Sequence, residues 1–180
     1  MRVFDEHTVI EGCKKNEHSS QQKLYQRYAD SMLGLCIRYL KNRDIAEEVM
    51  IAGFMKIFEK IDTFRCEGSF EGWLKRIMVN ECLMYLRKNS KNNFSRDIEE
   101  VYGEIEPIKA DTSLEAKELL EMVHQLPAGY RTVFNMYAIE GYNHQEIAKE
   151  LNISEGTSKS QLSKARKYLQ GLIKKYEKIS

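Results

Sequence analysis

Asn143-His144-Gln145-Glu146-Ile147-Ala148-Lys149-Glu150-Leu151-Asn152-Ile153-Ser154-Glu155-Gly156-Thr157-Ser158-Lys159 reads as two capped helices joined by a tight turn. Asn143 can accept from the orphan amides of a first turn while Glu146, three residues on, reaches back, the reciprocal arrangement of a capping box. Ile147, Ala148 and Leu151 then share one face. Asn152 tolerates the left-handed conformation a sharp turn needs, Ile153 can plug the angle between the helices, and Ser154 can cap the next one. That second helix turns Leu162, Ala165 and Leu169 inward and leaves Glu155, Gly156, Thr157, Lys159, Ser160, Ser163, Lys164 and Arg166 toward solvent. Short polar and cationic side chains near a helix N-terminus suit base edges and phosphates in a major groove. A solvated helical hairpin with no ligand is the plain alternative for this stretch taken alone.

The charge of the chain agrees with a nucleic-acid surface at this end. Formal net charge is only +1 over 180 residues. From Glu155 onward, however, seven bases (Lys159, Lys164, Arg166, Lys167, Lys174, Lys175, Lys178) face two acids (Glu155, Glu177), a local net of +5. Such a surface attracts phosphates by counterion release, and binding through it weakens steeply with salt.

Upstream, 3.6-residue periodicity runs almost without interruption, and both prolines, Pro107 and Pro127, lie in the second half. The fold class is therefore all-α, with helices expected at about 6–16, 20–41, 44–62, 69–89, 113–125, 128–139, 144–151 and 155–172. Between Lys88 and Thr112 the pattern stops, and Asp97, Glu99, Glu100, Glu104, Glu106 and Asp111 dominate with few apolar residues among them. A segment this polar cannot offset its ordering entropy by apolar burial, so it reads as an acidic flexible linker. Two small helical domains, 1–89 and 113–180, are expected on either side of a tether at 90–112.

On a helical wheel, Arg43 to Asp62 places Ala46, Met50, Phe54, Ile57 and Ile61 on the buried side. Asp44, Glu48, Ile51, Met55 and Glu59 fall together on the other. Two apolar residues flanked by carboxylates suit a contact with a basic partner element. Cover by an N-terminal helix of the same domain explains that face equally well.

Phe64 to Lys88 begins as a glycine-containing loop and becomes a helix capped by Ser69, with Ile77, Cys82 or Leu83, and Leu86 as its inward stripe. Lys75, Arg76, Asn80, Arg87 and Lys88 supply donors beside the rings of Phe64, Phe70 and Trp73. Cations that track phosphate, rings that stack on bases and an amide that pairs with a base edge are the ingredients of a single-strand site. The same rings are residue types that fill cores, which leaves Asn80, Arg87 and Lys88 as the candidates for direct contact.

Catalysis and metal binding find no support in the pattern. His7, His18, His124 and His144 lie in unrelated places, with His124 at a helix end and His144 in a first turn beside the DNA-facing motif. No glycine-rich phosphate loop, nucleophilic triad or metal-ligand spacing appears. Cys13, Cys36, Cys66 and Cys82 are widely spaced in the chain, without a paired motif, and read as core or surface residues of a reducing compartment. Arg2, Asp5, Glu6 and His7 interrupt any signal-peptide apolar region, and the best apolar stretch, Met32 to Leu40, is broken by Arg38. The expectation is a cytoplasmic protein with no cofactor and no metal.

Two separate stretches coincide with one family. Arg43-Asp44-Ile45-Ala46-Glu47-Glu48-Val49, Gly53-Phe54-Met55-Lys56, Thr63-Phe64 through Gly68-Ser69-Phe70 and Trp73-Leu74-Lys75-Arg76-Ile77-Met78-Val79-Asn80 carry it in the first half. Leu126-Pro127, Tyr130-Arg131, Val133-Phe134, Glu140-Gly141-Tyr142, Glu146-Ile147-Ala148, Gly156 through Leu162 and Ala165-Arg166 carry it in the second. The chain resembles the RNA polymerase sigma factors of the sigma-70 family, and within them the small extracytoplasmic-function type that has only the second and fourth conserved regions.

The resemblance implies a transcription initiation factor without catalysis of its own. It implies that Asp44, Glu48, Ile51, Met55 and Glu59 dock on the clamp helices of core RNA polymerase. By the same resemblance Phe64, Ser69, Phe70, Lys75, Arg76, Asn80, Arg87 and Lys88 capture the unpaired strand of the −10 element, flipping a base at a cost of a few kcal/mol that the protein contacts offset. The helix from Glu155 reads the −35 element as duplex, Gln125 to Phe134 and its neighbours pack on the flap tip, and the acidic tether threads the path later taken by RNA. A separate anti-sigma factor is the implied regulator. Met84 stands where the family commonly has aspartate, and Ser158 and Gln161 stand where it often has valine and arginine. A stand-alone helix-turn-helix regulator is the rival reading; it leaves the Trp73 to Lys88 helix without a purpose, and no dimerisation heptad is evident.

Overall fold

The computed structural model describes residues 5–89 and 116–177, and the tether expected at 90–112 lies outside them. The regular structure of the described residues is all helical, with no strand among them, and the chain divides into two units, Met1–Asn89 and Ser90–Ser180.

In the first unit, α1 (Glu6–Lys14), α2 (His18–Leu40), α3 (Arg43–Lys60) and α4 (Phe70–Asn89) pack together, with a single 3-10 turn at Ile61–Thr63 closing α3. The core is the apolar side of each: Leu24, Met32 and Leu35 from α2, Ala46, Phe54 and Ile57 from α3, Leu74, Met78 and Leu83 from α4. Asn42 starts α3 by accepting the Ile45 amide at 3.0 Å, and Ser69 starts α4 by accepting the Gly72 amide at 3.2 Å, each satisfying a donor that the first turn leaves orphaned. A Cβ on Gly53 would stand 2.5 Å from the sulfur of Met78, so its missing side chain is what lets α3 and α4 approach.

The inward stripe of α4 differs from the sequence expectation. Leu74, Met78 and Cys82 form its centre, with Val79 and Leu83 beside them, while Ile77 and Leu86 sit half-buried at the margin. Helices α2 and α3 pack on one side of this helix, and a wheel fixes spacing but not the direction of the core. Cys36 and Cys82, distant in sequence, are both buried thiols with sulfurs 3.6 Å apart.

The second unit holds α5 (Ala116–Gln125), α6 (Ala128–Phe134) running into a π-helical turn (Asn135–Ile139), α7 (His144–Leu151) and α8 (Glu155–Glu177). The Asn143–Glu146 capping box is present in both directions, each bond at 2.9 Å. Asn152 takes the left-handed conformation at φ 54°, ψ 49°, and Ser154 accepts the Thr157 amide at 2.9 Å. Helix α8 runs past the expected end near residue 172 because Leu172 and Tyr176 find cover: they bury against Met122, and the Tyr176 hydroxyl donates to Glu118 at 3.2 Å.

Candidate nucleic-acid and polymerase interface

Of the α3 residues expected to face a partner, Asp44, Glu48, Ile51, Met55 and Glu59 are all exposed, Ile51 by 54% and Met55 by 63%. Helix α1 packs on α2 and on the 3-10 turn, so the alternative of cover by an N-terminal helix does not hold among the described residues. Glu59 is held by Lys56 at 2.7 Å, and that bond keeps its carboxyl below the usual glutamate range.

The loop and helix that follow divide into an aromatic floor and a polar row. Phe64 and Phe70, expected among the strand-contacting groups, are 7% and 3% exposed in the free protein. Their rings meet edge-on at 5.0 Å, and Phe70 stacks on Trp73 at 5.7 Å. Phe70 also meets Tyr28 of α2 at 6.0 Å. Packed against one another, these rings fix the loop. Tyr28 joins this floor to α1 by donating to Glu6 at 2.7 Å. Above it Cys66 (φ 58°) and Gly68 (φ 89°) turn the loop outward. Ser69, Arg76, Asn80, Arg87 and Lys88 are exposed, and Lys75 is half-buried, paired with Glu71 at 3.0 Å.

In the second unit Glu155, Gly156, Lys159, Ser160, Ser163, Lys164 and Arg166 are exposed along α8, and Thr157 is half-buried under Ser154. Lys159 leans on Glu155 at 3.7 Å. The Arg166 guanidinium lies 5.7 Å from the Tyr137 ring centre, and Tyr137 stacks on His144 at 4.6 Å. Ser158 and Gln161 are 0% and 2% exposed. Their departure from the residues common in the resembling family therefore changes the packing under α8 rather than its outward face. Gln161 lies against Gly129, where a Cβ would stand 3.5 Å from its side-chain oxygen. The sequence did not single out this buried polar seam, because an isolated Ser or Gln in a polar helix carries no sign of burial.

The segment expected at the flap tip is itself largely buried, and its neighbours carry the exposed apolar groups. Between Gln125 and Phe134, Leu126 and the whole run from Gly129 to Val133 are buried, and Ala128 alone is exposed. Arg131 is 5% exposed and donates to the Leu126 carbonyl at 2.9 Å, and burial lowers its pKa to about 10. The outward apolar groups of this unit are its neighbours Leu119 and Ile139, about half exposed.

Comparison with known proteins assigns both units to known conserved regions. A family model described as "Sigma-70 region 2" matches residues 24–92, and one described as "Sigma-70, region 4" matches residues 116–169. The chain is 26% identical to the ECF RNA polymerase sigma-E factor of Haemophilus influenzae, over 92% of this chain and 93% of that protein. It is 25% identical to the sigma-E factor of Escherichia coli over 92% of each. Two solved structures share the fold. One is CnrH with the cytosolic domain of CnrY (18% identity, TM-score 0.54, covering 93% of this chain and 96% of that one). The other is the sigma factor RpoE with the anti-sigma factor NepR from Bartonella quintana (24% identity, TM-score 0.57, covering 85% and 96%).

The chain belongs to the sigma-70 family of RNA polymerase sigma factors, and its two matched regions place it with the extracytoplasmic-function type. It is an alternative sigma factor that directs promoter-specific transcription initiation by core RNA polymerase. No helix among the described residues is long and apolar enough to cross a membrane, and no group of His, Cys, Asp and Glu among them could hold a metal ion.

Proposed function

We propose a division of labour among three exposed helix faces. The α3 face of Asp44, Glu48, Ile51, Met55 and Glu59 docks on the clamp helices of core polymerase, its carboxylates setting register and Ile51 and Met55 giving desolvated area. The loop before α4, with Asn80, Arg76, Arg87 and Lys88, holds the unpaired strand of the −10 element. Helix α8 enters the major groove of the −35 element through Thr157, Lys159, Ser160, Ser163, Lys164 and Arg166. Leu119 and Ile139, more than the largely buried Gln125–Phe134 segment, offer the flap tip a surface.

The observation that carries this reading is the separation of charge between two helices of one bundle. Helix α3 presents apolar groups between carboxylates, and α4 presents cations around an amide. One face fits a basic protein element and the other a polyanion. In this reading the protein works in the cytoplasm, catalyses nothing itself and leaves RNA synthesis to the polymerase. Its off-state is a complex with a separate anti-sigma protein, a pairing that the Bartonella quintana relative RpoE makes with the anti-sigma factor NepR.

Run-off transcription from genomic fragments tests the proposal. Core polymerase with this chain should start at discrete sites that core alone does not use. A core enzyme that ignores the chain would remove the basis for all three assignments.

A further inference from the structure

Arg76, Asn80, Met84 and Lys88 follow one another at four-residue intervals along α4, so their side chains form one row on the helix surface. All four are exposed, as is Arg87, three residues from Met84. Met84 is 55% exposed and is the one large hydrophobic side chain of α4 so placed among the described residues. The opposite side of the helix is filled by Leu74, Met78, Val79, Cys82 and Leu83. Met84 thus belongs to the outward row and not to the core.

Two features of the surface narrow what this thioether meets. Its neighbours in the row are an amide and two cations, with Arg87 beside them, a setting for a polyanion, whereas the apolar pair on α3 is set among carboxylates. The rings of Phe64 and Phe70, which could have served as stacking platforms, are turned into the aromatic floor. A strand held by this row therefore finds phosphate donors and a base-edge partner, and Met84 as the apolar surface between them. Thioethers are polarizable and flexible, and they make favourable contacts with aromatic faces. Every unpaired base offers such a face.

We propose that Met84 is the stacking surface for an unpaired nucleobase of the opened strand, adjoining the base that Asn80 contacts. This rests on the assignment of α4 to single-stranded DNA made above, and the test separates the two.

Holoenzyme reconstituted from core polymerase and the full chain is titrated with single-stranded DNA of about 12 nucleotides, a random pool and the sequences that the wild-type holoenzyme enriches from it. Met84→Ala should weaken binding of the enriched strands about 5- to 30-fold. Met84→Asp should weaken it further, and Met84→Leu, which keeps the apolar area, should stay within about threefold of wild type. Affinity for core polymerase and for duplex fragments should be unchanged in all three. Wild-type strand affinity in Met84→Ala would overturn the proposal while leaving α4 as the strand reader. Loss of core binding in Met84→Ala would overturn it by making Met84 a protein contact. A wild-type holoenzyme that binds the strands no better than core alone would instead overturn the α4 assignment itself.

Discussion

The imidazole Nδ1 of His144 lies 2.8 Å from the hydroxyl oxygen of Ser158, joining the first residue of α7 to a fully buried position on α8. The two helices of the DNA-reading motif are thus tied by a polar bond in addition to the packing of Ile147, Leu151 and Leu162. The ring also stacks on Tyr137, which stands beside Arg166. Elements that hold the outward face of α8 in place therefore converge on one histidine.

Burial, and then the charge of Lys159, hold the His144 pKa below its ordinary 6.5. The unfolded chain accordingly takes up the proton first as pH falls. Stability from the neutral ring is full above pH 6.5 and is lost progressively below it, through the lowered folded value. Imidazole titration by NMR should place His144 below the ordinary 6.5. His144→Gln should flatten the fall in thermal stability on the acid side, and Ser158→Ala should cost about 1 kcal/mol.

The aromatic floor and the polar row should separate under mutation. Phe70→Ala removes a buried ring and should destabilise the first unit by about 3–5 kcal/mol, read by denaturant titration of the fluorescence of Trp73, the sole tryptophan. Asn80→Ala, at an exposed position, should leave that transition within about 0.5 kcal/mol and impair promoter opening in a permanganate footprint, with core binding intact. Equal destabilisation by both would make Asn80 a folding residue.

Reversal of charge on α3 should act on the polymerase alone. Glu48→Arg and Met55→Asp are expected to weaken binding to core enzyme by about tenfold or more, in keeping with 1–2 kcal/mol at a desolvated contact. Both positions are exposed, so the circular dichroism melt should not move. Undiminished affinity in both variants would displace the docking face from α3.

Lys159 and Lys164 should be separable from the single-strand surface by salt. If each meets a phosphate, Lys159→Ala or Lys164→Ala should lower the slope of log affinity against log salt by about one unit on duplex −35 fragments. Because Lys159 leans on Glu155, its removal also frees that carboxylate, so its loss of affinity should be the larger of the two. Strand binding at −10 should be unaffected.

The sequence by itself determined the all-α fold, the helix starts at Asn143, Ser154 and Ser69, and the faces of α3 and α8. Capping residues and 3.6-residue periodicity are local signals, and local geometry obeys them. Tertiary structure alone decided what depends on which neighbours arrive. It turned Phe64 and Phe70 inward, since a ring serves a core or a base equally well until its faces are taken. It buried Ser158 against His144 and Gln161 against Gly129, polar positions for which the helical pattern gave no sign of burial. It rotated the stripe of α4 onto Leu74, Met78 and Cys82, and brought Cys36 to Cys82 across a long stretch of chain. It also left Met84 exposed in a row of cations, because an amphipathic pattern sets the spacing of a helix's faces while the packing of α2 and α3 sets which of them looks outward.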